Sequence, residues 1–123
     1  MSTTLEKPFY ATGAGFMALR ESLGMTKIEM AAWLGVHRQA VHRWETGEHV
    51  IGPAIIARVT DLVESVEQAE NLLYEEAQHG VILVPRGNES FGGLPASAVR
   101  AIAVRLAARE GLSIAYRPWG GRG

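Results

Sequence analysis

The stretch LGMTKIEMAAWLGVHRQAVHRWETG, Leu23 to Gly47, constrains the fold more than any other part of the chain. Thr26 stands three residues before Glu29. That is the spacing of a capping box, in which the hydroxyl accepts from the Glu29 amide and the carboxylate reaches back to the cap. Apolar residues follow at Ile28, Met30, Ala31 and Leu34, and Ala31, Leu34 and the neighbouring Trp33 give a stripe at helical spacing. Gly35 is placed to close that helix at positive φ, where glycine meets no steric penalty. A second helical run begins near His37, with apolar positions at Ala40, Val41 and Trp44, and Gly47 ends it. The spacing therefore predicts two short helices joined by a tight turn.

Two helices joined through a three- to four-residue turn containing glycine make the helix-turn-helix unit. The second helix carries Arg38, Gln39, His42 and Arg43. Arginine can pair with guanine O6 and N7, glutamine with adenine N6 and N7, and such side chains also grip phosphates. The segment resembles the Xre/Cro family of helix-turn-helix repressors. The matching residues are Arg20, Gly24, Gly35, Val41, Trp44, Glu45 and Gly47, within a stretch from Phe16 to Val59.

That resemblance implies DNA contacts from Lys27, His37, Arg38, Gln39, His42 and Arg43, with base edges and phosphates both open to Arg43. It also implies a structural ion pair between Arg20 and Glu45, no catalytic residue, no metal and no cofactor. The chain departs from the family pattern at two positions. His37 stands where the family usually has Ser or Thr, so it either caps the second helix or contacts DNA. Lys27 stands where the family often has Gln, at a position that in relatives touches phosphate and braces the recognition helix. Trp33 and Trp44 read as core residues rather than stacking platforms. His37 and His42 are five apart, off one helix face, which argues against zinc.

A net charge of −1 gives no general basic character, but the acid is unevenly spread. Residues 1–52 carry five basic and five acidic groups, residues 53–79 one and six, and residues 80–123 six and two. A DNA-binding domain of this size needs a local positive face, not a basic average. Ten of the twelve cationic residues are Arg, which suits phosphate and guanine contacts. The absence of cysteine excludes disulfides and thiolate metal sites. No run of eighteen apolar residues exists to span a membrane, and MSTTLEKPFYATG lacks the pattern of a secretory signal, so a cytoplasmic protein is expected.

After Pro53 the chain runs without Gly or Pro to His79. From Val59 through Leu62, Val66, Ala69 and Leu73 the apolar steps alternate three and four, predicting one long helix or two with a break near Thr60–Asp61. Asp61, Glu64, Glu67, Glu70, Glu75 and Glu76 form its other, solvated face. Glu75 and His79 have i, i+4 spacing, too little by itself for a metal site. Val81–Val84 reads as a strand ended by Pro85, about Pro95 to Glu110 as a helix capped by Gly111, and Leu112–Tyr116 as a second strand stopped by Pro118.

The expected fold is mainly α: a helix-turn-helix DNA-binding domain over 1–60, a long connecting helix over 61–79, a β-α-β dimerisation segment over 80–118 and a flexible tail over 119–123. A two-stranded sheet is marginal alone in water, so pairing with a second copy would complete it. The layout also resembles small phage and plasmid autoregulators, including the anti-CRISPR-associated repressors. Together these readings imply a homodimeric, sequence-specific repressor on palindromic double-stranded DNA, autoregulation being one form of it. An antitoxin, holding a toxin through its C-terminal segment, is the other reading. The chain carries no Gly-rich phosphate loop, nucleophile elbow or HExxH, so no enzyme is expected.

Overall fold

The computed structural model describes residues 7–87 and 91–118. The tail expected over 119–123 lies outside the described residues, as do residues 1–6 of the N-terminal segment. The fold is mainly helical, with a short two-stranded parallel sheet near the C-terminus. The chain divides into two compact units, Met1–Thr60 and Asp61–Gly123.

The first unit opens with a 3-10 turn, Phe9–Ala11, and helix α1, Gly13–Ser22. Thr12 caps α1 by accepting from the Gly15 amide at 3.0 Å. Glycine is needed at both Gly13 and Gly15 for a steric reason. A Cβ would collide with the Trp44 carbonyl in the first case and with the Phe9 carbonyl in the second. Helix α2, Lys27–Leu34, starts with the full capping box: Glu29 N donates to Thr26 Oγ1 at 3.0 Å and Thr26 N to Glu29 Oε1 at 2.9 Å. Gly35 ends it at φ 70, with Val36 N donating back to the Ala31 carbonyl at 3.0 Å. Helix α3, Arg38–Glu45, follows at once.

Phe16, Leu23, Met30, Leu34, Val41 and Val59 are fully buried in this unit, and Phe16 meets Trp44 edge-to-face at 5.8 Å. Two apolar positions of the helix-turn-helix differ from the expected core. Ile28 is exposed, because the buried face of α2 is Met30, Ala31 and Leu34, and a residue two before Met30 is rotated about 200° from it. Trp33 is only half-buried, whereas Trp44 is buried. Tyr10 and the Thr60 hydroxyl are 2.7 Å apart, fifty residues apart in sequence. The Thr60 proton goes to the Ile56 carbonyl, so Tyr10 is the donor.

Helix α4, Pro53–Glu76, is a single helix with no break at Thr60–Asp61. It stops three residues before His79. The chain turns over Ala77–Gly80, where His79 adopts φ 53 and Gln78 bridges to Val81. Glu75 and His79 therefore do not share a helix, and their spacing loses its meaning.

In the second unit, strands β1, Val81–Val84, and β2, Ser113–Tyr116, pair in parallel, with helix α5, Ala96–Glu110, as the crossover. Leu62, Leu73, Ile82, Leu94, Ile102 and Leu106 are its large buried side chains. The two ends of β-α-β sit within a residue of expectation: Pro95 precedes α5 as its cap, and Leu112 stays outside β2. The acids of α4 are less uniformly solvated than the pattern implies. Glu70 pairs with Arg109, and Glu76 accepts from Arg117 at 2.6 Å. Arg117 also lies over the Phe91 ring, 4.9 Å from its centroid.

The two strands differ in cover. Ile82 and Val84 of β1 are buried, yet their register partners Ile114 and Tyr116 on β2 are 41% and 54% exposed. A shallow groove of about 200 Å³ runs there, lined by Val84, Arg100, Ile114, Ala115 and Tyr116.

Candidate nucleic-acid interface

Helix α3 has two opposed faces. Val41 and Trp44 point into the core, while Arg38, Gln39, His42 and Arg43 are exposed. The i, i+4 steps from Arg38 to His42 and from Gln39 to Arg43 align these four side chains along one side. Together with Lys27 from the first turn of α2 and Glu48, they line a groove of about 450 Å³.

Each lining residue is positioned by something local. Lys27 is the first residue of α2 because Thr26 caps that helix. Its Nζ lies 2.9 Å from His42 Nδ1, which ties the start of α2 to the middle of α3. Arg38 and Gln39 occupy the first turn of α3. The orphan amides there are partly met by His37, whose Nδ1 accepts from Gln39 N at 3.3 Å. His37 thus does the work of the Ser or Thr it replaces, and it is not among the groove residues. Thr46 and Gly47 turn the chain after α3, with Gly47 at φ 81.

That turn returns Glu48 to the groove, a residue the sequence reasoning passed over. Glu48 Oε2 is 3.9 Å from Arg43 Nε, with both side chains well exposed. An exposed pair at this distance contributes little to stability. Its effect is on charge: the groove is cationic with one acid at its rim. Glu48 had one signal in the sequence, its place one residue after a glycine that ends a helix. His49, beside it, donates its backbone amide to the Arg43 carbonyl at 3.1 Å.

Beneath the groove, Arg20 of α1 meets Glu45, the last residue of α3. Arg20 Nε donates to Glu45 Oε2 at 2.6 Å and Nη2 to Oε1 at 3.0 Å. Nη1 donates to the Met25 carbonyl at 2.9 Å, so each of the three guanidinium nitrogens donates a hydrogen bond. The hydrogen bond with Glu45 raises the Arg20 pKa, against the opposing effect of burial. The pair fixes the C-terminal end of α3 on the scaffold while the opposite side chains of the helix line the groove.

The chemistry of this face is hydrogen-bond donation to anionic and carbonyl acceptors, with one amide able to donate and accept. Among the described residues, no group of three or more His, Cys, Asp or Glu is placed to hold a metal ion. No described helix is long and apolar enough to cross a membrane. Residues 13–71 match the family model of a helix-turn-helix domain, which is consistent with an Xre-type regulator. No curated protein matches the chain. The domain points to a DNA-binding regulator.

Proposed function

We propose that the protein is a transcriptional repressor that binds a palindromic operator as a homodimer, with α3 in the major groove. One observation carries this reading. Arg38, Gln39, His42 and Arg43 share one exposed face of a helix whose opposite face is locked by Val41, Trp44 and the Arg20–Glu45 pair. A rigid helix with exposed donors on one side is what a base-reading element needs. In this reading Arg38 and Gln39 contact base edges, His42 and Arg43 contact bases or phosphates, Lys27 contacts phosphate, and His37 stands at the helix start.

The second copy is recruited through residues 80–118. The exposed Ile114 and Tyr116 beside an open strand support this. Two-fold symmetry would set the recognition helices about 34–36 Å apart, one turn of B-DNA. The same exposed strand also favours a second reading, an antitoxin that docks a toxin there. Selection of bound DNA from a random pool, followed by sequencing, tests the proposal. A palindromic consensus is expected, and a pool that stays random would overturn it. Co-purification of a second, specific protein on the wild-type chain and its loss on changing Ile114 would favour the antitoxin.

A further inference from the structure

The contact between Lys27 and His42 has a chemical consequence for readout. A lysine ammonium has three N–H donors and no acceptor. At 2.9 Å from His42 Nδ1 it can only donate, so Nδ1 must carry the lone pair. A neutral imidazole with Nδ1 as acceptor carries its proton on Nε2. The ring is then a donor at its other end, within a side chain that lines the groove of Arg38, Gln39 and Arg43.

We propose that Lys27 is a positioning residue that holds His42 as an Nε2–H donor, making His42 a selector for base edges that present an acceptor. The inference rests on the reading of α3 as the DNA-reading helix. In the major groove, guanine offers O6 and N7, thymine O4 and adenine N7, whereas cytosine offers only its N4 amino donor. A donor at His42 pairs with the first three and opposes cytosine. Accepting from cytosine would require the opposite tautomer, whose Nδ1–H would point at the Lys27 ammonium and break the bond between them. The remaining N–H groups of Lys27 stay available, so it can contact a phosphate while orienting the ring. The two departures from the family pattern then differ in kind: His37 serves its own helix end, whereas Lys27 acts on a second helix.

The test has two arms. The first measures the His42 tautomer in the free protein, by two-bond nitrogen–proton correlation at about pH 8, where an ordinary histidine is neutral. Wild type should show Nε2–H alone. Lys27→Met should show an added Nδ1–H population. Lys27→Arg, whose guanidinium like the ammonium has donors and no acceptor, should keep the wild-type state. The second arm selects bound DNA with all three proteins and compares base frequencies within each pool, so that a uniform loss of phosphate contact cancels. One position per half-site should exclude cytosine in wild type and in Lys27→Arg. In Lys27→Met that exclusion should weaken about tenfold, the size expected for one lost base discrimination. A wild-type Nδ1–H signal, or a Lys27→Met pool with cytosine still excluded, overturns the inference while leaving the DNA-binding reading intact. A wild-type pool with no consensus overturns that reading, and the readout role of His42 with it.

Discussion

Arg20 and Glu45, twenty-five residues apart in sequence, join through two parallel hydrogen bonds of 2.6 and 3.0 Å, with only 10% and 2% of their side-chain surfaces exposed. A carboxylate and a guanidinium in this fork geometry fix relative orientation as well as distance. The pair thereby sets how α3 leaves the core, and hence which of its side chains reach the groove.

Removing one partner leaves the other charge buried without compensation, which typically costs about 3–5 kcal/mol. Glu45→Ala should lower the melting temperature by about 10 °C or more. A melting curve superimposable on wild type would refute the structural weight given to the pair. The pH sign is also fixed. The Arg20 pKa is raised, first by its hydrogen bond with Glu45, so its stabilisation is complete below its already high unfolded value. That share is lost only in strong alkali, and between about pH 6 and pH 9 Arg20 should contribute no change in stability.

Gly15→Ala offers a test in which helix propensity and packing give opposite signs. Inside an exposed helix the change would stabilise by about 1 kcal/mol. Here the new Cβ would meet the Phe9 carbonyl, a backbone atom that cannot swing aside. We expect destabilisation by about 1–3 kcal/mol, measured by urea unfolding. A gain in stability would mean that the Phe9–Ala11 turn is not packed on α1 as described.

Gln39→Ala and Arg43→Ala should fail in different ways. Loss of a bidentate glutamine contact should relax one base position per half-site and cost roughly 1–3 kcal/mol. If Arg43 holds a phosphate, its loss should weaken all sequences alike and reduce the salt slope by about one unit. Binding isotherms at several salt concentrations, on consensus and mutated sites, separate the two. Unchanged consensus and affinity in both variants would mean that α3 does not read DNA.

Ile114→Asp addresses assembly. The side chain is 41% exposed, so the charge should be tolerated in an isolated chain. Buried in an interface between two copies it would not be. Light scattering should show a dimer for wild type and a monomer for the variant, with operator affinity falling in parallel. A variant that stays dimeric would move the interface away from β2.

Where α2, α3 and α5 begin and end was legible in the sequence, because caps are chemistry between neighbours. Thr26 and Glu29 are three residues apart, and Gly35 and Gly111 stop helices by adopting φ 70. The apolar repeat from Val59 to Leu73 likewise announced α4, and the β-branched run at Val81–Val84 announced β1. The four exposed side chains of α3 follow from helical geometry once its register is known. What neighbours in sequence cannot specify is which distant groups meet. Lys27 reaches His42 across fifteen positions, and Glu48 enters the groove only because the chain turns back at Gly47. The exposure of Ile114 and Tyr116, whose register partners are buried, depends on how far cover extends across a two-stranded sheet. Local spacing determined the elements, since caps and periodicity act within a turn or two. Tertiary packing decided the partners, since a contact between distant residues forms only when the whole core brings them within reach.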